Sequence, residues 1–311
     1  IATGLPLLSG GPRRLAHGVF SALVRQDVKL PAAPSLPPAV AQRWGARADA
    51  IAAGLAVPPP LDLTLRDPST TDEWAERLGG ASLAPGHVRL ARGTAVENLA
   101  GFESGAWWVQ DLAASLPARL LGAGGGRRVL DLCAAPGGKT LQLAAAGWQV
   151  TAVELSAKRA KRIEENLART GLSAEVVIAD ALHWQAQEPF DAVLLDAPCT
   201  ATGTCRRHSD VLHRIGPRQI AEMAELQAAL LARSVGWLKP GGQLVYAVCS
   251  LESEEGEAQA DRVTQTPDPV LAAELPAGIA PDGQGRVRTD PAMLAAAGGL
   301  DGFFIARWRK G

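Results

Sequence analysis

Asp131-Leu132-Cys133-Ala134-Ala135-Pro136-Gly137-Gly138-Lys139-Thr140 is the stretch that decides the fold. The apolar run Arg128 to Leu132 precedes it and a helical pattern follows. Its glycines therefore fall between a strand and a helix, at the carboxyl edge of a sheet, where ligands bind in such folds. The ending Gly-Lys-Thr imitates a nucleoside-triphosphate loop, but that motif requires a glycine five residues before Gly138, and Cys133 stands there. A dinucleotide fingerprint also fails. Gly122 and Gly124 would need a third glycine at Arg127, and they precede the strand.

Outward from this loop, strands alternate with helices, the pattern of a parallel sheet covered on both faces. The runs read as strands are Arg128 to Leu132, Gln149 to Glu154, Glu175 to Ala179, Asp191 to Asp196 and Gln243 to Val248, with a last one from Phe303 to Trp308. A helix opens at Ser156, carries Ala160, Ile163 and Leu167 on one face and stops at Gly171. A longer helix is predicted over Gln219 to Leu238, ending at Lys239-Pro240-Gly241-Gly242.

Three regions are expected. Residues 1–38 form a basic N-terminal segment with a Pro-rich linker, 39–100 a small α+β module, and 101–311 a doubly wound, mostly parallel α/β domain. The chain opens on Ile1 rather than Met, and its first segment looks like the tail of something longer. In the small module, Leu61 to Arg66 alternates at period two, Thr71 to Leu78 reads as a helix and His87 to Arg92 as a second strand. Trp107 and Trp108 are assigned to the core.

With 311 residues, 47% hydrophobic and 20% charged, the chain has globular composition, and a formal charge of −1 rules out a uniformly basic nucleic-acid coat. No apolar run approaches the ~20 residues that cross a bilayer. Cys133, Cys199, Cys205 and Cys249 are too few and too scattered for a disulfide framework, so they read as reduced thiols of a cytoplasmic protein, expected as a monomer. Cys205 and His208 alone cannot complete a tetrahedral metal site, and no metal is expected.

Glu154 ends the second strand, where a carboxylate can hold both hydroxyls of a ribose, and Asp180, past the third, can accept from an adenine amino group. With the glycine loop they suit S-adenosylmethionine. The plainer alternative makes them polar strand ends beside a tight turn.

Two further strands end in thiols, Asp196-Ala197-Pro198-Cys199 and Tyr246-Ala247-Val248-Cys249-Ser250. A lone cysteine is usually an inert small hydrophobe. Two on one sheet edge beside a methyl donor suggest methylation of a pyrimidine carbon. Carbon 5 of cytosine is too weak a nucleophile for a sulfonium methyl group until a thiolate adds to carbon 6; a base must then remove the carbon 5 proton so that the thiol can leave.

Asp-Leu-Cys-Ala-Ala-Pro-Gly-Gly-Lys-Thr (131–140), Asp-Ala-Pro-Cys (196–199), Thr-Gly-Thr-Cys-Arg-Arg-His-Ser-Asp (202–210) and Cys-Ser-Leu (249–251) together resemble the RNA (cytosine-5) methyltransferase family, and within it the bacterial Sun/Fmu branch that modifies 16S ribosomal RNA. The resemblance runs from about Gly101 to the Gly-Phe-Phe near the C-terminus. It implies a class I methyltransferase fold, Cys249 as nucleophile and Cys199 as the thiol that assists release. It also implies an S-adenosylmethionine site lined by Cys133, Ala134, Ala135, Pro136, Gly137, Gly138, Lys139, Glu154, Asp180 and Asp196. DNA-acting cousins use the Pro-Cys thiol as nucleophile. The chain departs from the pattern at Glu154, where Asp is usual, at Val248, where Thr is usual, and at Gly256, where Asn is common.

Arg206, Arg207 and His208 follow Cys199 closely and are read as RNA contacts. Lys158, Arg159, Lys161 and Arg162 are read as a solvated helix face. Residues 1–50 carry six Lys or Arg against two Asp, and residues 251–302 three basic against ten acidic side chains, so the charge is polarised. Competing readings are a catalytically idle RNA-binding or ribosome-assembly factor, a tRNA cytosine-5 methyltransferase, and an enzyme methylating nitrogen. The last needs an Asn or Asp-Pro-Pro-aromatic edge that strand four lacks.

Overall fold

A computed structural model describes residues 8–29, 31–93 and 95–311. The chain divides into two compact units, residues 1–34 and 35–311. The first contains helix α1 (Gly10–Arg25), none of whose residues is buried; Leu15 and Val24 are among its exposed apolar side chains.

The second unit begins with α2 (Pro38–Trp44) and α3 (Ala48–Gly54), so the Ala-rich helical pattern is broken at Gly45. Strand β1 (Leu61–Leu65), helix α4 (Thr71–Leu78), β2 (His87–Leu90) and β3 (Trp107–Val109) build a three-stranded antiparallel sheet in the order β2-β1-β3. Its third strand comes from beyond residue 101: Leu63 pairs with Val109 and Leu65 with Trp107. Trp107 and Trp108 are core residues.

Helix α5 (Leu112–Arg119) leads into the large sheet. There β4 (Arg128–Leu132), α6 (Gly138–Ala145), β5 (Gln149–Glu154), α7 (Ala157–Thr170), β6 (Glu175–Ile178) and β7 (Phe190–Asp196) alternate. The short α8 (Val211–Arg214), the long α9 (Pro217–Gly236), β8 (Leu238–Val248) and α10 (Glu257–Ala260) follow, then β9 (Thr266–Pro267), β10 (Val287–Thr289) and β11 (Phe303–Arg309). The sheet runs β10-β11-β8-β7-β4-β5-β6, with β9 against β11. The five strands β8-β7-β4-β5-β6 are parallel; β9, β10 and β11 join antiparallel. This is the mostly parallel doubly wound arrangement expected.

Helix α9 stops two residues earlier than predicted. Leu238 already pairs with Phe190, and Gln243 with Ala192, so Lys239 to Gly242 is an irregularity within β8. Helix α7 matches its sequence signals: the Ser156 side chain caps its start, Gly171 ends it in the left-handed region, and Ala160, Ile163 and Leu167 are buried on one face. The central strands β4, β7 and β8 are almost wholly buried, as strands covered on both faces must be.

Topology locates the ligand edge. The chain winds from β4 outward through β5 and β6, then returns to the other side of β4 as β7. The strand order reverses between β4 and β7, and the crevice beyond the carboxyl ends of such a pair binds ligands.

Candidate active site

The glycine loop leaves β4 at that crevice and enters α6 through Gly137, whose φ of 103° belongs to the left-handed region. The loop after β7 carries Cys199, and β8, next to β7, is followed directly by Cys249. The Cys199 and Cys249 sulfurs lie 3.4 Å apart. Both thiols are half-buried and open onto one cleft of about 760 Å³, within the range of small-molecule sites.

Cys133, Ala134, Ala135, Pro136, Gly138, Lys139, Asp196, Cys199, Arg207, His208 and Cys249 all line this cleft. Gly137 is buried just behind it. Lys139 Nζ is 2.7 Å from Asp196 Oδ2 and 5.3 Å from the centre of the Phe303 ring, so one charged pair and one aromatic face border the thiols. Close approach of chain segments keeps the thiol loop in place. Gly203 N donates to Cys249 O at 3.0 Å and Gly302 N to Gly203 O at 2.8 Å, and a Cβ on Gly203 would stand 2.0 Å from Gly302 O.

Cys199 is held well above the ordinary thiol range, first by its hydrogen bond with Cys249, then by burial and by the charges of Cys249 and Glu255. Burial, with Asp196, Glu154 and Asp131 nearby, pushes Cys133 up to about 12, and burial does the same for Cys205.

Glu154 does not line the cleft: it is buried behind the loop, where its carboxylate accepts from Ala135 N at 3.2 Å and Ser156 N at 3.0 Å. Asp180 is also absent from the cleft wall; it accepts from Leu182 N and pairs with His183. The side chain of Arg206 is 1% exposed, with Nε on Asp301, Nη2 on Asp111 and Nη1 on Gly298 O. A guanidinium so enclosed has no face for a phosphate, and Arg206 is a scaffold. Arg207 shares both carboxylates yet reaches the cleft. Arg159, read as part of a solvated face, lines the cleft and donates to Ala135 O at 2.8 Å.

Sequence reasoning missed Asp111 and Asp301, about 190 residues apart in the chain, and no spacing rule links them. Arg159 had a signal, since it sits in the first turn after β5, on the ligand edge. At position 256 a side chain would meet Arg288 Nη2 2.4 Å from its Cβ. Arg288 donates instead to Ser250 O and pairs with Glu257.

Residues 118–309 match the family described as 16S rRNA methyltransferase RsmB/F. The chain belongs to this family. It is 42% identical over 266 residues to a protein of Klebsiella pneumoniae subsp. pneumoniae named ribosomal RNA small subunit methyltransferase B, covering 81% of this chain and 60% of that one. A protein of the same name from Pseudomonas syringae pv. tomato is 39% identical over 289 residues, covering 86% and 63%. The chain thus spans about three-fifths of the length of these relatives. Among solved structures, a methyltransferase homolog protein from Pyrococcus horikoshii superimposes with a TM-score of 0.73 at 26% identity, covering 88% of this chain and 93% of that one. NSun6 from the same organism, with SFG, gives 0.76 at 19% identity, covering 89% and 98%, and shares the fold.

Arg206→Ala and Arg207→Ala should separate structural from RNA-facing roles. Breaking a buried pair costs about 3–5 kcal/mol, so Arg206→Ala is expected to lower the urea midpoint sharply. Arg207→Ala should instead lower the slope of log affinity for RNA against log salt by roughly 0.7, one phosphate contact. Equal slopes for Arg207→Ala and parent would move the RNA path away from this edge.

Proposed function

We propose that the protein transfers a methyl group from S-adenosylmethionine to carbon 5 of a cytosine in RNA, with 16S ribosomal RNA as substrate, through a covalent bond between Cys249 and carbon 6. The observation that carries this is the pair of sulfurs 3.4 Å apart at the mouth of the switch-point cleft. The names of the relatives favour ribosomal RNA. An idle assembly factor would need neither thiol so placed.

The cleft fits the cofactor in size and lining: the loop brings Ala134, Ala135, Pro136 and Gly138 to its wall and Lys139-Asp196 to its floor. Glu154 braces this loop from behind, accepting from Ala135 N and Ser156 N. When bound, S-adenosylmethionine supplies an electrophilic methyl group. Cys249, its thiol proton lost to solvent, bonds as the thiolate to carbon 6, and the ring's carbon 5 gains the electron pair that takes the methyl. Cys199, its own proton likewise given up to solvent before this step, accepts the carbon 5 proton as the thiolate, the carbon 6–sulfur bond breaks to return Cys249 as the thiolate, and the double bond returns. A thiolate formed at Cys199 is a strong base, because its surroundings disfavour the charge. His208, exposed on the cleft rim, and Arg207 face the RNA backbone. Four free thiols suit a reducing compartment, the cytoplasm. Among the described residues no helix is long and apolar enough to cross a membrane.

Mapping 5-methylcytosine by mass in ribosomal RNA from cells lacking the protein tests the reading. One small-subunit cytosine should lose its methyl group, and an unchanged map would favour the assembly-factor alternative. Glu154→Ala should weaken S-adenosylmethionine binding about tenfold in calorimetry, through loss of the loop brace and of a charge-assisted hydrogen bond. Unchanged affinity would show that the Glu154 brace contributes nothing to cofactor binding.

A further inference from the structure

Glu255 is fully buried, which is costly for a carboxylate unless several donors compensate it. The donors it finds are neutral, and their places in the chain are informative. Thr200, the residue after Cys199, donates its backbone N–H at 2.9 Å and its hydroxyl. Ser250, the residue after Cys249, donates its hydroxyl to the same carboxylate. Gln227 Nε2 donates at 3.0 Å and also binds Pro198 O at 2.9 Å, just before Cys199. Glu255 is itself tied to β8, since Tyr246 donates its hydroxyl to Glu255 O at 2.6 Å. It does not line the cleft, so it meets neither substrate nor cofactor there.

We propose that Glu255 is a positioning residue: by holding the residue that follows each thiol, its one carboxylate fixes how Cys199 and Cys249 face each other. The catalytic consequence rests on the function proposed above, but the clamp is a property of the free protein. Attack needs Cys249 aimed at carbon 6, and release needs Cys199 beside carbon 5 while Cys249 is still attached. A displacement of an ångström in either is expensive in rate. The charge of Glu255 also contributes, after the Cys249 hydrogen bond and burial, to keeping the Cys199 thiol protonated.

Two readouts test this. In the free protein, diamide takes one hydrogen from each thiol and becomes a hydrazine as the Cys199–Cys249 disulfide forms, and peptide mass mapping follows its rate. Glu255→Gln, which keeps the shape but turns one acceptor into a donor, should slow closure roughly tenfold relative to parent. Ser250→Ala cuts the link on the Cys249 side alone, should slow closure in the same sense, and decides the matter if Glu255→Gln fails to fold. In turnover, both variants should lose at least about tenfold in kcat, with KM for RNA within about twofold, and Glu255→Gln, which also frees the Cys199 side, should accumulate covalent protein–RNA adduct. A variant that is merely unfolded accumulates none. Closure at the parent rate in variants with unchanged melting overturns the proposal whatever methylation does. Slowed closure in a protein whose parent form methylates no RNA upholds the clamp and overturns the proposed function instead.

Discussion

Cys249→Ala should abolish methyl transfer, reducing turnover by roughly 10⁴-fold or more, as removal of a covalent nucleophile does elsewhere. The loss follows from the order of bond making. Until a sulfur is attached at carbon 6, carbon 5 lacks the electron density to displace a methyl group, and no positioning of the cofactor substitutes for it. Cys249 is half-buried at the end of β8, where Val248 and Ala247 before it are buried. Trimming its sulfur should leave melting within a few degrees of parent, and binding of S-adenosylmethionine intact. A filter assay with labelled methyl donor checks the rate and calorimetry the binding. Residual turnover at a tenth of the parent level would place the nucleophile elsewhere, with Cys199 the alternative.

The placement of the two thiols on one sheet edge was largely legible in the sequence, because the informative residues are short in reach, while the division of roles between them came only from the family resemblance. The loop 131–140, the strand end at Asp196 and the thiols at 199 and 249 each sit at the end of an apolar run, and parallel strands present such ends at one edge. What the sequence could not supply was which long-range partner claims a polar side chain. Arg206 and Arg207 are adjacent and chemically identical, yet one is enclosed by Asp111 and Asp301 while the other reaches the cleft. Glu255, one of ten acidic residues in an acidic stretch, looks solvated until Thr200 and Gln227 arrive from other elements. Glu154 illustrates a subtler limit. It does end β5, as read, but the side chain turns to the loop's backbone N–H groups. The third strand of the small sheet was missed because Trp107-Trp108-Val109 is too short for alternation to register, and pairing with β1 creates it.

Cys199→Ala should have the opposite signature to Cys249→Ala: attack and methylation proceed, release stalls, and protein stays joined to methylated RNA. In the proposed division of roles Cys199 serves the second step, and its sulfur, 3.4 Å from the one that would carry the ring, is close enough to reach the neighbouring ring carbon. In the free protein its pKa is raised chiefly by its hydrogen bond with Cys249 and by burial, so it must lose its own proton before it can take one from carbon 5. Without it, the carbon 5 proton has no base in reach and elimination becomes the slow step. A base inside a duplex cannot reach sulfurs set in a cleft, so unpaired or loop cytosines should trap best. Incubation with RNA and S-adenosylmethionine, followed by a denaturing gel, should shift most of the Cys199→Ala protein and none of Cys249→Ala. The double variant should not shift, since the adduct requires Cys249. A shifted band for Cys249→Ala alone would exchange the roles of the two thiols, and Glu255 would then position the attacking sulfur through Thr200 rather than through Ser250.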